Sequence, residues 1–126
     1  MSEVTGFRFD NVSNLPPFED ALVASVPECL STVDDLLQSV AKALKFPAYF
    51  GKNWNALYDC LRDFHWTDKK NILLIHKDLP NISKSDLHIY LEVLKDAASD
   101  WKLGETHTFS VVFDRAIEKF VRDALE

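Results

Sequence analysis

Three short apolar runs, separated by segments with helical periodicity, constrain the fold of this chain more than any other feature. They occupy residues 21–26 (ALVASV), 72–75 (ILLI) and 108–113 (TFSVVF), and they are rich in β-branched and aromatic residues. Between them, apolar residues recur every three or four positions, which is the period of an amphipathic helix. Strands that alternate with helices usually pair in parallel through crossover connections. The pattern therefore predicts a small α/β domain with a parallel sheet packed with helices.

Local signals refine this prediction. The uninterrupted apolar run at 72–75 is typical of a central strand covered on both faces, and 21–26 is also predicted to be a buried strand. Phe7 to Phe9 alternates like a short strand, whereas 11–18 (NVSNLPPF) is turn-rich. The predicted helices cover residues 31–45, the segment that begins at Asn53, residues 85–101 and residues 115–125.

Two of these helices have recognisable N-terminal caps. Ser31 with Asp34, or Thr32 with Asp35, has the spacing of a capping box. Asn53 is a favourable cap for the next helix. Because capping gives Asp34 and Asp35 a local structural role, they are not candidates for the functional site.

Composition restricts the class of protein. A chain of 126 residues is long enough for one domain with a single core. No apolar run approaches the roughly 20 residues that span a bilayer, and MSEVTGFRFD lacks the basic and apolar regions of a secretory signal. We therefore expect a cytoplasmic protein with no membrane partner and no cofactor. Cys29 and Cys60 match no metal spacing and are expected to be reduced thiols.

The charge is unevenly distributed. The formal net charge is −6. Residues 1–41 carry seven acidic residues and one arginine, and the rest of the chain carries thirteen acidic and thirteen basic residues. No basic stripe is present, which argues against direct binding of nucleic acid.

The stretch 46–66, FPAYFGKNWNALYDCLRDFHW, concentrates aromatic side chains and amides around one glycine and the start of a helix. On a helical wheel its apolar residues turn inward, and Asn55, Asp59, Arg62 and Asp63 lie together on the outer side. Gly51 is predicted to permit a backbone bend that a Cβ would oppose. Aromatic rings with polar tips beside a carboxylate are typical anchors in protein–protein interfaces, so Tyr49, Phe50 and Asp59 predict a protein-binding surface.

Residues 46–61 read F-P-x-Y-F-G-x-N-x-x-A-L-x-D-C-L, and this motif resembles the barstar family of intracellular ribonuclease inhibitors. The resemblance covers roughly residues 21–113. It implies one barstar-like domain over 1–126, with a three-stranded parallel sheet and with residues 1–20 and 114–126 as terminal extensions. It also implies a monomer that binds a basic ribonuclease one-to-one.

In this family the loop and helix enter the nuclease cleft, and a helix carboxylate takes the place of an RNA phosphate. By position, Asp59 is implied to meet the arginines of the cleft, and Tyr49 to lie against its catalytic histidine. Together with the helical wheel, the resemblance predicts these contact residues: Tyr49, Phe50, Gly51, Asn53, Asn55, Tyr58, Asp59, Asp63 and Asp96. Asn55 and Lys52 replace acidic residues of the family inhibitor, which implies a partner with a less basic cleft.

Several alternatives remain open at this stage. The partner can be a DNase or another toxin, or the domain can be a scaffold module that inhibits nothing. Asp59 can form a surface ion pair with Arg62, and Phe50 can simply close the core. An enzyme would need a thiol–base pair such as Cys60 with His65, but five helical positions separate these residues by about 140°. The four histidines otherwise match no ligand spacing.

Overall fold

A computed structural model describes residues 6–102 and 104–126. Its strands and helices, in chain order, are β1 (Phe7–Asp10), β2 (Ala21–Val26), α1 (Val33–Ala43), α2 (Trp54–Leu61), β3 (Asn71–His76), α3 (Lys84–Asp100), β4 (Thr108–Asp114) and α4 (Glu118–Leu125). All strand pairings are parallel, and the sheet order is β1-β4-β3-β2. The predicted α/β class and the predicted helices and strands are therefore confirmed, with shifts of a few residues at their ends.

The expected three-stranded sheet was one strand too small. β1 pairs with β4, with Phe7 opposite Val111 and Phe9 opposite Phe113. The ring of Phe113 contacts both phenylalanines, at centroid distances of 4.9 Å to Phe7 and 5.8 Å to Phe9. The N-terminal extension is thus an edge strand of the sheet rather than an appendage to it.

The two faces of the sheet are covered differently. The helices pack on one face and form the main core with side chains such as Ile72, Leu74 and Val111. On the other face, Leu73, Ile75 and Val112 form a smaller cluster. Its cover comes mainly from the turn-rich N-terminal segment, through Val12, Leu15 and Phe18, together with Ala21. The central strand β3 is accordingly buried along almost its whole length, as its uninterrupted apolar sequence predicts.

The strand predicted at 21–26 is present, but the prediction that it is buried holds on one face only, because β2 is the edge of the sheet next to β3. Its burial alternates: Ala24 and Val26 face the helices, whereas Val23 is 45 % exposed on the opposite face. An edge strand with one covered face needs apolar side chains only at alternate positions.

Candidate protein-binding site

The aromatic loop between α1 and α2 is anchored on the core. The ring of Phe46 contacts Phe50 at 5.0 Å and Trp66 at 5.7 Å, both edge-on. The indole N–H of Trp66 donates to the carbonyl oxygen of Leu44 at 3.1 Å. Phe50 is half-buried and packs against the main core. This supports the interpretation that Phe50 closes the core, and it makes the base of the loop rigid.

The bend in this loop does not require Gly51, so that part of the prediction was wrong. Gly51 does not adopt a positive φ, and a Cβ there would meet Asn53 Nδ2 at 3.4 Å and the Ala56 Cβ at 3.6 Å, which are ordinary contacts. Two other residues of the loop lie in the left-handed region, Lys45 with φ 59° and Lys52 with φ 53°. The backbone turns at Lys52, immediately before the cap of α2.

Tyr49 is the most exposed ring of the loop, with 65 % of its surface accessible. It stacks parallel to the imidazole of His65, with 6.5 Å between ring centroids and 2° between planes. His65 Nδ1 lies 2.9 Å from Asp63 Oδ1, and the Tyr49 hydroxyl donates to Asp63 Oδ2 at 3.5 Å. The three side chains therefore form one contiguous surface group.

The sequence prediction did not include His65 in the site. Its only local signal is its place in the same aromatic stretch, two residues after Asp63. The histidine ring also lies edge-on to Trp66 at 5.3 Å, which connects the exposed Tyr49 ring to the anchored base of the loop.

Helix α2 begins as predicted and orients its polar face outward. Asn53 Oδ1 accepts from the backbone N–H of Ala56 at 2.8 Å and so caps the helix. Leu57 is buried, whereas Asn55 and Asp59, one turn apart, are exposed. Within residues 6–102 and 104–126, the Asp59 carboxylate makes no hydrogen bond or ion pair. It is held at the surface by a helix whose opposite side is in the core.

Arg62 does not join this polar face. Its guanidinium lies 4.3 Å from the ring centroid of Trp101 and pairs with the Glu105 carboxylate at 3.7 Å. The Asp59–Arg62 surface pair is therefore not formed. The helix ends at Leu61, so Asp63 lies in the following turn rather than on the helix.

Tyr58 connects the site to α3. It is half-buried, and its hydroxyl donates to the Asp100 carboxylate. This hydrogen bond raises the pKa of Tyr58, and burial adds to the effect. Asp96 is exposed one turn before Asp100 on the same side of α3. The predicted contact residues on α3 and α2 thus lie on neighbouring helices.

The Cys60–His65 alternative has no geometric support. Cys60 is only 4 % exposed, and burial, followed by the charges of Asp63 and Asp59, raises the pKa of its thiol to about 11. A thiol with such a pKa is not an activated nucleophile at neutral pH. His65 instead contacts Asp63 and Tyr49.

No group of three or more His, Cys, Asp or Glu side chains suited to a metal ion occurs among the described residues. None of the helices in the same part of the chain combines the length and apolarity needed to cross a membrane. The site offers a preformed protein surface with an exposed ring and several carboxylates, and such a surface suits a concave, basic partner.

The sequence matches a known protein family. The model of a protein family described as "Barstar (barnase inhibitor)" matches residues 24–114, which is well over half of the chain. The match contains α1, α2, α3, β3 and β4 and the aromatic loop, and it leaves out β1 and α4. No curated protein matches the chain.

Proposed function

The chain belongs to the barstar family, and from this premise we propose that it is a stoichiometric inhibitor of a ribonuclease, acting in the cytoplasm. Members of the family are inhibitors rather than enzymes. In the proposed complex, the aromatic loop and α2 occlude the active-site cleft of the nuclease. The observation that carries the proposal is the Asp59 carboxylate, which is exposed on a rigid helix and unpaired within the described residues.

The chemistry of a nuclease cleft explains why such a carboxylate is effective. A cleft that binds RNA gathers lysines and arginines around the phosphate positions, and an arginine can bind a carboxylate through two parallel hydrogen bonds. Because Leu57, Cys60 and Leu61 fix α2 in the core, Asp59 loses little conformational freedom on binding. Among the residues that the structure describes, Asp59 has no ion pair to break before it meets the partner.

Tyr49 supplies the apolar part of the same contact. One face of its ring is supported by His65, and most of the side chain is accessible. A preset aromatic side chain buries much area at small entropic cost, which is typical of interface hot spots. Asp63 and Asp96 add negative charge around it and favour encounter with a basic cleft.

The test uses barnase as the probe nuclease, with cleavage of a fluorogenic RNA substrate as the readout. We expect inhibition at micromolar concentrations with a one-to-one end point. Asp59→Ala is expected to weaken binding by about 2–5 kcal/mol, roughly 30- to 5,000-fold in Kd. Asp123→Ala removes the same charge from the exposed surface of α4 and serves as the matched control.

Two results would contradict the proposal. If neither the wild-type protein nor its Lys42→Glu, Lys52→Glu variant slows RNA cleavage at micromolar concentrations, the protein is not a ribonuclease inhibitor of this type, and a DNase inhibitor or a scaffold module takes its place. If it inhibits but Asp59→Ala behaves like Asp123→Ala, the carboxylate is not the group that occupies the cleft. A scaffold module predicts binding without loss of nuclease activity.

A further inference from the structure

A shallow groove lies beside the proposed contact surface, between the last turns of α1 and the aromatic loop. Its volume is about 410 Å³. The lining on the loop side is apolar and comes from Pro47, Ala48 and Phe50, and two lysines flank the groove, Lys42 from α1 and Lys52 from the loop.

These two lysines are exposed and available. Neither ammonium group takes part in a hydrogen bond or ion pair among residues 6–102 and 104–126, and Lys45, also exposed, follows on the turn after α1. Positive charge is concentrated here in a chain whose net charge is −6. The groove is therefore a local basic region beside an acidic surface.

The stability of the folded domain accounts for the position of only one of the two lysines. Lys42 is in the last turn of α1, where a cation interacts favourably with the helix dipole. Lys52 directly precedes the cap of α2, where a cation opposes the dipole, and its φ of 53° is unfavourable for a residue with a side chain. A lysine that is unpaired among the described residues and lies in this unfavourable position points to a role outside the folded domain.

The groove falls within reach of any partner that contacts Asp59. From Trp54 to Asp59 the helix advances only about 7.5 Å. A protein interface of standard size covers about 800 Å² on each partner. A nuclease seated on Tyr49 and Asp59 thus also lies over Phe50 and Lys52.

We propose that Lys42 and Lys52 determine which nuclease this protein binds. The groove receives a rim segment of the partner that carries carboxylate side chains, and the lysines repel nucleases whose rim is basic. The partner then has a basic cleft facing Asp59 and an acidic rim facing the groove. This inference rests on the proposed function, and it adds a charge requirement that the cleft alone does not impose.

The first experiment measures association with barnase as the probe. Barnase has to hold RNA phosphates, so cationic side chains surround its cleft. We expect Lys42→Glu combined with Lys52→Glu to accelerate association about tenfold at low salt, since removal of like-charge repulsion acts mainly on the encounter rate. Lys70→Glu combined with Lys119→Glu makes the same charge change at two other exposed positions and is the control.

The second experiment tests the chemistry of the rim directly. A library of catalytically inactive barnase with randomised rim positions is displayed and selected on each form of the protein. The wild-type protein is expected to enrich aspartate and glutamate, and the Lys42→Glu, Lys52→Glu variant to enrich lysine and arginine. Enrichment of the same residues by both proteins would overturn the inference.

Failure of the inference is distinguishable from failure of the proposed function. If Asp59→Ala weakens binding while the groove variant associates no faster than the Lys70, Lys119 control, the groove does not select the partner but the inhibitor proposal stands. If the protein does not inhibit, the proposed function itself is wrong, and if it inhibits but Asp59→Ala has no effect, the role of the Asp59 carboxylate in the cleft is wrong.

Discussion

His76, at the end of β3, makes the fold sensitive to acid. Its side chain is fully buried; Nε2 lies 2.6 Å from the hydroxyl of Tyr90, and its ring stacks on Phe113 at 4.7 Å. Burial lowers the pKa of His76 to about 3, against a smaller opposing contribution from the Leu74 backbone. His76 is therefore neutral in the folded core, and its protonated form is disfavoured there.

The direction of the effect follows from proton linkage. Well above pH 6.5 the histidine is neutral in both the folded and the unfolded chain, so it makes no pH-dependent contribution to stability. As the pH falls below that value, the unfolded chain binds a proton that the folded protein does not, and stability decreases by up to about 1.4 kcal/mol per pH unit. Between pH 6.5 and pH 4.5, before most carboxylates titrate, the expected loss is roughly 2 to 3 kcal/mol.

Urea denaturation at several pH values in this window measures the loss. The variant His76→Leu, Tyr90→Phe removes both ends of the buried hydrogen bond together, so neither polar group is left without its partner. We expect its free energy of unfolding to decrease much less with acid than that of the wild-type protein. Equal slopes for the wild-type protein and the double variant would refute the assignment of acid sensitivity to His76.

Two further predictions concern packing and thiol chemistry. Gly6→Ala should destabilise the fold by about 2–4 kcal/mol, because Gly6 has φ 84° and a Cβ there would lie 2.3 Å from the Ala98 Cβ. Gly104→Ala, at φ 90° with no described atom beyond the adjacent residues within 4 Å of the new Cβ, should cost only about 1 kcal/mol. Equal shifts of the two Tm values would contradict this account. Iodoacetamide should modify exposed Cys29 in the native protein and Cys60 only after denaturation, since burial raises the pKa of the Cys60 thiol to about 11. Mass spectrometry locates the modified thiols, and rapid alkylation of Cys60 in the native protein would argue against its burial.

Much of the candidate site was predictable because its signals are local. The cap at Asn53 and the outward placement of Asn55 and Asp59 depend only on residues within two helical turns. A periodic pattern of this length contains enough information to orient a helix against a core. The roles of these residues in binding a partner remain predictions.

Other parts of the site depend on distant residues. Arg62 leaves the polar face of α2 because Trp101 and Glu105 bind it from the end of α3 and the segment that follows. Tyr58 is held by Asp100, which is 42 positions away. Helical periodicity predicts the direction in which a side chain leaves the helix axis. It contains no information about which distant charged group or aromatic ring contacts that side chain.

The amino-acid sequence alone determined the α/β class, the order of the elements and the outward face of α2, since periodicity and capping act over a few neighbouring residues. Only the tertiary structure decided that β1 completes the sheet beside β4, that His65 supports Tyr49, and that Lys42 and Lys52 flank one groove. These features arise when the crossovers bring separate segments together. Contacts of that kind depend on the packing of the whole chain, which no short spacing encodes.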